Sequence, residues 1–161
     1  MAHDMFMKID DIKGESQDAA HKDEIDVVEF KWGMTQTGTA HVGPGGTAGK
    51  VQVKDLFFTK YVDRATSPLA KLCASGKHLK TAVLTLRKAG GTPIDYLKIT
   101  LEDLIVASIT HGGAKDDDRF TEDVTLNFAR MKMEYVPQKA DGTGDASVHM
   151  GWDVAGNKEH T

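Results

Sequence analysis

The sequence predicts an all-β protein: a closed or nearly closed β-barrel with one short α-helix and a long extended loop. Three observations lead there. About eight runs alternate apolar with polar residues at the strand period of two. In several of them the alternation slips by one residue, the mark of a β-bulge that bends a sheet toward closure. Only one stretch, residues 55–77, carries both a start and a stop signal for a helix.

In chain order, Met5, Met7 and Ile9 alternate with Phe6 and Lys8 as a short strand, and DDIKGESQDAAHKDE then reads as turn and loop. Ile25 and Val27 share one face of the next strand while Val28, Phe30 and Trp32 share the other, which predicts a bulge near Val27. Residues 33–49, GMTQTGTAHVGPGGTAG, hold six glycines and almost nothing to bury. Loops of this length are either solvated or functional, and the composition decides for neither. A phosphate-loop reading fails, because Pro44 stands where the first glycine is required and Val51 where the magnesium-binding Ser or Thr belongs.

Val51, Val53, Leu56 and Phe58 predict one long strand with a phase change near Asp55. It feeds the helix, where Ser67 is expected to N-cap, Pro68 to sit at the first helical position and Gly76 to close the end in the left-handed conformation. Leu69, Leu72 and Cys73 fall on one face, so a helix of about eight residues must be held by packing on the sheet. Ala82, Leu84 and Leu86 alternate with Val83, Thr85 and Arg87 and turn at residues 89–92. Residues 94–111 mix a helix-like stripe with β-branched Ile105, Val106, Ile109 and Thr110; the clean alternation of Leu97, Ile99 and Leu101 decides for a strand with a slip at Glu102–Asp103. Val124, Leu126 and Phe128, then Met131, Met133 and Tyr135, predict the longest strand with a slip around Ala129–Arg130. Val148, Met150, Trp152 and Val154 make a last strand before a short polar tail.

At 161 residues and 40% hydrophobic, one domain spanning residues 1–161 is expected. A net charge of -4 with no basic stripe argues against nucleic acid as the main partner. The single cysteine excludes an internal disulfide, and its place on the helix's apolar face predicts a structural thiol. No apolar run approaches membrane-spanning length and the N-terminus lacks a signal-peptide pattern, so synthesis in the cytoplasm and no membrane insertion are expected. The seven histidines are scattered singly, without metal-ligand spacing. The acidic turn at Asp116, Asp117 and Asp118 has Thr121 and Asn127 where a calcium loop needs Gly and Glu. Ser67 lacks both a lysine three residues on and a nucleophile elbow. Neither an enzyme nor a cofactor or metal site is expected.

The segments FMKIDDIKGES, WGMTQTG, LFFTKYVDRATSPLAKLCASGKH, LTLRKAGG, TEDVTLNFARMKMEY and GWDVAGN resemble the haemolysin-coregulated protein (Hcp) family of type VI secretion, from about Met5 to Asn157. The resemblance implies a barrel subunit that closes into a homo-hexameric ring, with rings stacking into an inner tube. That tube carries or stabilises effector proteins in its lumen, is fired by a contractile sheath behind a tip (spike) protein, and is exported without a signal peptide. In this family the segment from Gly33 to Gly49 corresponds to an extended loop reaching neighbouring subunits or the next ring, which makes Thr39, His41, Val42, Pro44 and Thr47 candidate ring-stacking residues. Lys31 stands on a strand that faces the lumen in the family, where it is either a contact for effectors or an ordinary solvated lysine. The competing class is a small-ligand-binding barrel carrier, against which the bulky apolar faces predict a filled interior.

Overall fold

A computed structural model of the chain describes residues 3–38, 49–88 and 93–161. Its strands are β1 (His3–Ile9), β2 (Ile25–Lys31), β3 (Met34–Thr35), β4 (Gln52–Val53), β5 (Leu56–Tyr61), β6 (Leu79–Lys88), β7 (Ile94–His111), β8 (Thr121–Tyr135), β9 (Val148–Asp153) and β10 (Lys158–Glu159), with one helix, α1 (Thr66–Ser75). Six strands in the order β8-β5-β2-β1-β6-β7 close into an antiparallel barrel when β7 pairs with β8. The all-β barrel expected from the alternating runs is therefore what forms.

β8 closes the barrel between β5 and β7 and also serves a third neighbour. One edge pairs with β7 along nearly its whole length. The other is divided: residues 121–126 pair with β5, and residues 130–135 pair with β9, which lies beyond the barrel and carries β10 on its far side. Met7, Ile9, Ile25, Leu56, Phe58, Leu84, Ile99, Leu101, Leu104 and Leu126 are all buried and fill the interior. The inside of the barrel is side chain, not ligand space, as the sequence predicts.

The slips expected in the long strands are present, and they are coordinated. Leu79 and Ala82, Leu101 and Leu104, and Phe128 and Met131 are buried pairs three residues apart, where strict alternation would separate them by two or four. Leu79 pairs with Leu104 and Leu104 with Phe128; Ala82 pairs with Leu101 and Leu101 with Met131. Three neighbouring strands thus change phase at one level, so the face switches while the register is kept. Asp103, at φ 55, absorbs part of the distortion. True register shifts occur between Val27 and Glu29, where a bulge was expected, and also between Val106 and Ser108 and opposite Leu86/Arg87.

Three local expectations are corrected. The long strand through Val51 and Phe58 is two strands: Lys54 N–H donates to Gly33 O and Trp32 Nε1 donates to Lys54 O, so the chain stays with the β3–β4 hairpin until Leu56 enters the barrel. The helix starts before Ser67, which is not its cap. Ala65 holds the N-cap position, Asp63 Oδ1 accepts from its N–H, and Thr66 Oγ1 accepts from the N–H of Asp63, so an aspartate turn starts the helix earlier. Pro68 is then the third helical residue, where an N–H still has no intrahelical partner to lose. Gly76 closes the helix at φ 65, with its N–H on Leu72 O, as expected. The polar tail returns as β10, with His160 N–H donating to Gly151 O; a Cβ at Gly151 would meet His160 O at 2.2 Å. The loop expected between β1 and β2 is present and packed, since Ser16 and His21 are buried and a Cβ at Gly14 would lie 2.5 Å from Glu24 O.

Candidate functional site

Lys31 ends β2 opposite Phe57, and its side chain is 75% exposed with Glu29 Oε1 3.8 Å from its ammonium. Phe30 and Trp32 on either side are half-buried against the core, so alternation turns Lys31 to the opposite, solvated face. Thr39, His41, Val42, Pro44 and Thr47 lie outside the described residues.

Three charged clusters emerge that sequence reasoning missed. Lys60 and Glu122 face each other across the β5–β8 ladder, both inside the barrel wall and both buried. Lys60 Nζ lies 2.8 Å from Asp63 Oδ1, 2.8 Å from Tyr61 O, 3.2 Å from Glu122 Oε1 and 3.5 Å from Thr66 Oγ1, so its ammonium is caged by oxygens beneath the start of α1. Among the described residues Glu122 Oε2 accepts no hydrogen bond, and His111 Nδ1 lies 3.5 Å from it. A signal for this cluster was available. Lys60 continues the inward phase of Leu56 and Phe58, and Glu122 that of Val124 and Leu126, so alternation alone places both inside.

The second cluster lies on the outer face of β1 and β6. Arg87 donates to both Asp18 oxygens and, at 3.1 Å, to Asp4 Oδ2; its guanidinium carbon is 5.1 Å from the centre of the Phe6 ring. The hydrogen bonds from Arg87 hold the Asp18 carboxyl far below the usual carboxylate range and raise the guanidinium in turn. His21 and Ser16 complete the cover. No sequence signal marked it, because its partners are some seventy positions apart.

The open side of the molecule is β9. Tyr135, Val148 and Met150 are 45%, 64% and 42% exposed, although they continue the apolar phase that is buried deeper in the barrel at Met131. On the opposite face of the same strands Glu102 accepts from Arg130 Nε at 3.2 Å and faces His160 Nε2 at 3.0 Å, with Lys132 at 3.5 Å. Burial pushes the Glu102 carboxyl up, but hydrogen bonds from Arg130 and His160 outweigh it, so the group sits below its ordinary value.

Among the described residues no group of three or more His, Cys, Asp or Glu side chains is placed to hold a metal ion, and no helix is long and apolar enough to cross a membrane. Cys73 is half-buried and packs against the core.

The family model described as type VI secretion system effector, Hcp, matches residues 6–135. "Protein hcp1" of Pseudomonas aeruginosa is 54% identical over 159 residues, covering 98% of both chains. Among solved structures, one described as a type six secretion system protein superposes with a TM-score of 0.94 at 30% identity, over 99% of this chain and 100% of that one. Hcp1 from Salmonella typhimurium superposes at 0.83 with 43% identity, again over 99% and 100%. With the motif blocks, the barrel and these matches agreeing over nearly the whole chain, the protein belongs to the Hcp family of type VI secretion.

Proposed function

We propose that the chain is the repeating subunit of a type VI inner tube: six copies close into a ring, rings stack, and effectors are carried in the lumen. The observation that supports the reading is the end-to-end identity with an Hcp protein, 54% over 98% of both chains. The protein acts as a structural part rather than an enzyme, needs no cofactor, and works with a contractile sheath and a tip protein. It is made in the cytoplasm and leaves through the apparatus itself.

The fold supports subunit contacts in a specific way. A ring needs a head-to-tail contact that closes by rotation, whereas stacking needs a second contact repeated along an axis. The uncovered apolar residues Tyr135, Val148 and Met150 are the face that a neighbouring copy would cover. The segment 39–47 is assigned to stacking, and Lys31 to the lumen wall. Residues 1–161 are taken to act as one Hcp-like domain. The filled interior of the barrel disfavours a small-ligand carrier. Negative-stain microscopy of the purified protein tests the proposal: rings with an open centre are expected, and featureless single particles at micromolar concentration would overturn it.

A further inference from the structure

A ring that closes head to tail needs two different faces on each subunit, because one face meeting its own copy closes a dimer and stops there. The stripe of Tyr135 on β8 with Val148 and Met150 on β9 supplies one of them. A second exposed apolar pair, Val62 and Phe120, lies at the other end of β8, where the N–H of Val62 donates to Phe120 O at 3.0 Å. β8 has 15 residues, so at about 3.4 Å each the two patches are about 50 Å apart along the strand. Val28 and Met34, the other large apolar residues exposed among the described ones, stand on separate strands, β2 and β3.

We propose that Phe120 and Val62 are the counterface of the stripe: in the ring set out above, on which this inference rests, Phe120 of one copy docks on Tyr135, Val148 and Met150 of the next. Phe120 is held in place although it is exposed. Its ring lies on Gly113, where a Cβ would come within 2.4 Å of Cδ1, and its carbonyl is fixed by Val62. The residue before it is anchored as well, since the Arg119 guanidinium carbon is 3.7 Å from the centre of the Tyr61 ring. An aromatic side chain placed in advance loses little freedom on docking, and aromatic residues are enriched at the centre of protein contacts.

The charges beside the two patches are opposite in sign. Asp116, Asp117 and Asp118 precede Phe120 on the exposed loop between β7 and β8, where Lys115 and Arg119 leave the run net negative. On the strand rows that flank Tyr135, Val148 and Met150, Lys98 and Lys132 outnumber Glu134. An acidic rim around one apolar patch and a basic rim around the other draw the two together. The same rims set two stripes, or two counterfaces, against like charge, which favours the head-to-tail contact over a closed dimer.

Mixing two broken variants tests the pairing. Val148→Asp spoils the stripe and Phe120→Asp the counterface, so light scattering should find each alone at the mass of a single chain and the wild type at the mass of a hexamer. An equimolar mixture should give species of two chains and nothing larger. Val148→Asp still offers Phe120 and Phe120→Asp still offers the stripe, but both outer faces of the resulting pair are spoiled. A lone contact lacks the gain of a closed ring, so the mixture is measured up to about 1 mM. If Phe120→Asp does not fold, Val62→Asp takes its place in the mixture. A counterface variant that keeps the hexamer mass, or a mixture that stays at the mass of single chains, overturns the pairing and leaves the ring standing. A wild type at the mass of a single chain overturns both.

Discussion

The two halves of β8 carry the same apolar alternation and meet different fates. Along residues 121–126 it pairs with β5, and Glu122, Val124 and Leu126 are all buried. Along residues 130–135 it pairs with β9, and burial decays from Met131, fully buried, through Met133, half-buried, to the exposed Tyr135. Alternation marks which way a side chain points; it does not say what covers it. In the first half the barrel supplies the cover, and toward the end of the second the described residues leave Tyr135, Val148 and Met150 exposed. An apolar face left open at the end of a well-filled barrel supports the proposed subunit contact.

The largest effect is expected in the covered half. Glu122→Ala leaves the caged Lys60 ammonium without one of its two carboxylate partners, and breaking a buried pair in this way costs about 3–5 kcal/mol. Urea unfolding should show it, and replacing both partners together with Lys60→Met and Glu122→Leu should recover most of the loss. A cost under about 1 kcal/mol for the single variant would mean that water reaches the cage. Next, Leu126→Ala should cost about 2–5 kcal/mol through the cavity it leaves, whereas Tyr135→Ser, nine positions along the same strand, should stay within about 0.5 kcal/mol for the isolated subunit. Equal costs for the two would erase the distinction between the halves.

A smaller effect concerns pH. Because Glu102 is depressed by Arg130 and His160 against the pull of burial, its contribution is present above the ordinary carboxyl range and lost as pH falls through its lower folded value. The melting-point difference between the wild type and Glu102→Gln should be largest near neutrality and shrink below about pH 4. The group is partly exposed, so the contribution stays under about 1 kcal/mol. A difference that grows on acidification would reverse the sign. The smallest effect on stability is expected at Lys31, whose partner Glu29 is itself exposed: Lys31→Glu should leave unfolding within about 0.5 kcal/mol and ring formation intact. Co-purification of acidic effectors should weaken, with the difference between variants fading at high salt. Equal cargo recovery would return Lys31 to a plain solvated position.

Much of the fold was legible because strand period and glycine chemistry are local. The bulge after Val27, the slips at Glu102–Asp103 and Ala129–Arg130 and the left-handed Gly76 all follow from neighbours in sequence. The matching slip between Leu79 and Ala82 was not read. Its meaning lies in the pairing, where three neighbouring strands change phase together. The helix start was misplaced because Ser67-Pro68 is a strong local signal, while the groups that begin the helix, Asp63 and Thr66, act with Glu122 from a distant strand. The cover over Phe6 was unreadable for the same reason, since Asp18, His21, Arg87 and Asp95 meet only in three dimensions. Lys60 and Glu122 were legible in principle and lost to the habit of placing charges outside, which fails when two opposite charges face each other across one ladder.

The claim that the uncovered half of β8 and its neighbour β9 is a subunit contact is tested most directly by light scattering on Val148→Asp. Val148 pairs with Tyr135 at the exposed end of the stripe and touches none of the filled interior, so a carboxylate there should leave the barrel's unfolding transition in place. The wild type is expected at the mass of a hexamer and the variant at the mass of a single chain, with unfolding midpoints of the separated subunits that agree. A variant that keeps the hexamer mass would contradict the account and move the ring contact to another face of the barrel.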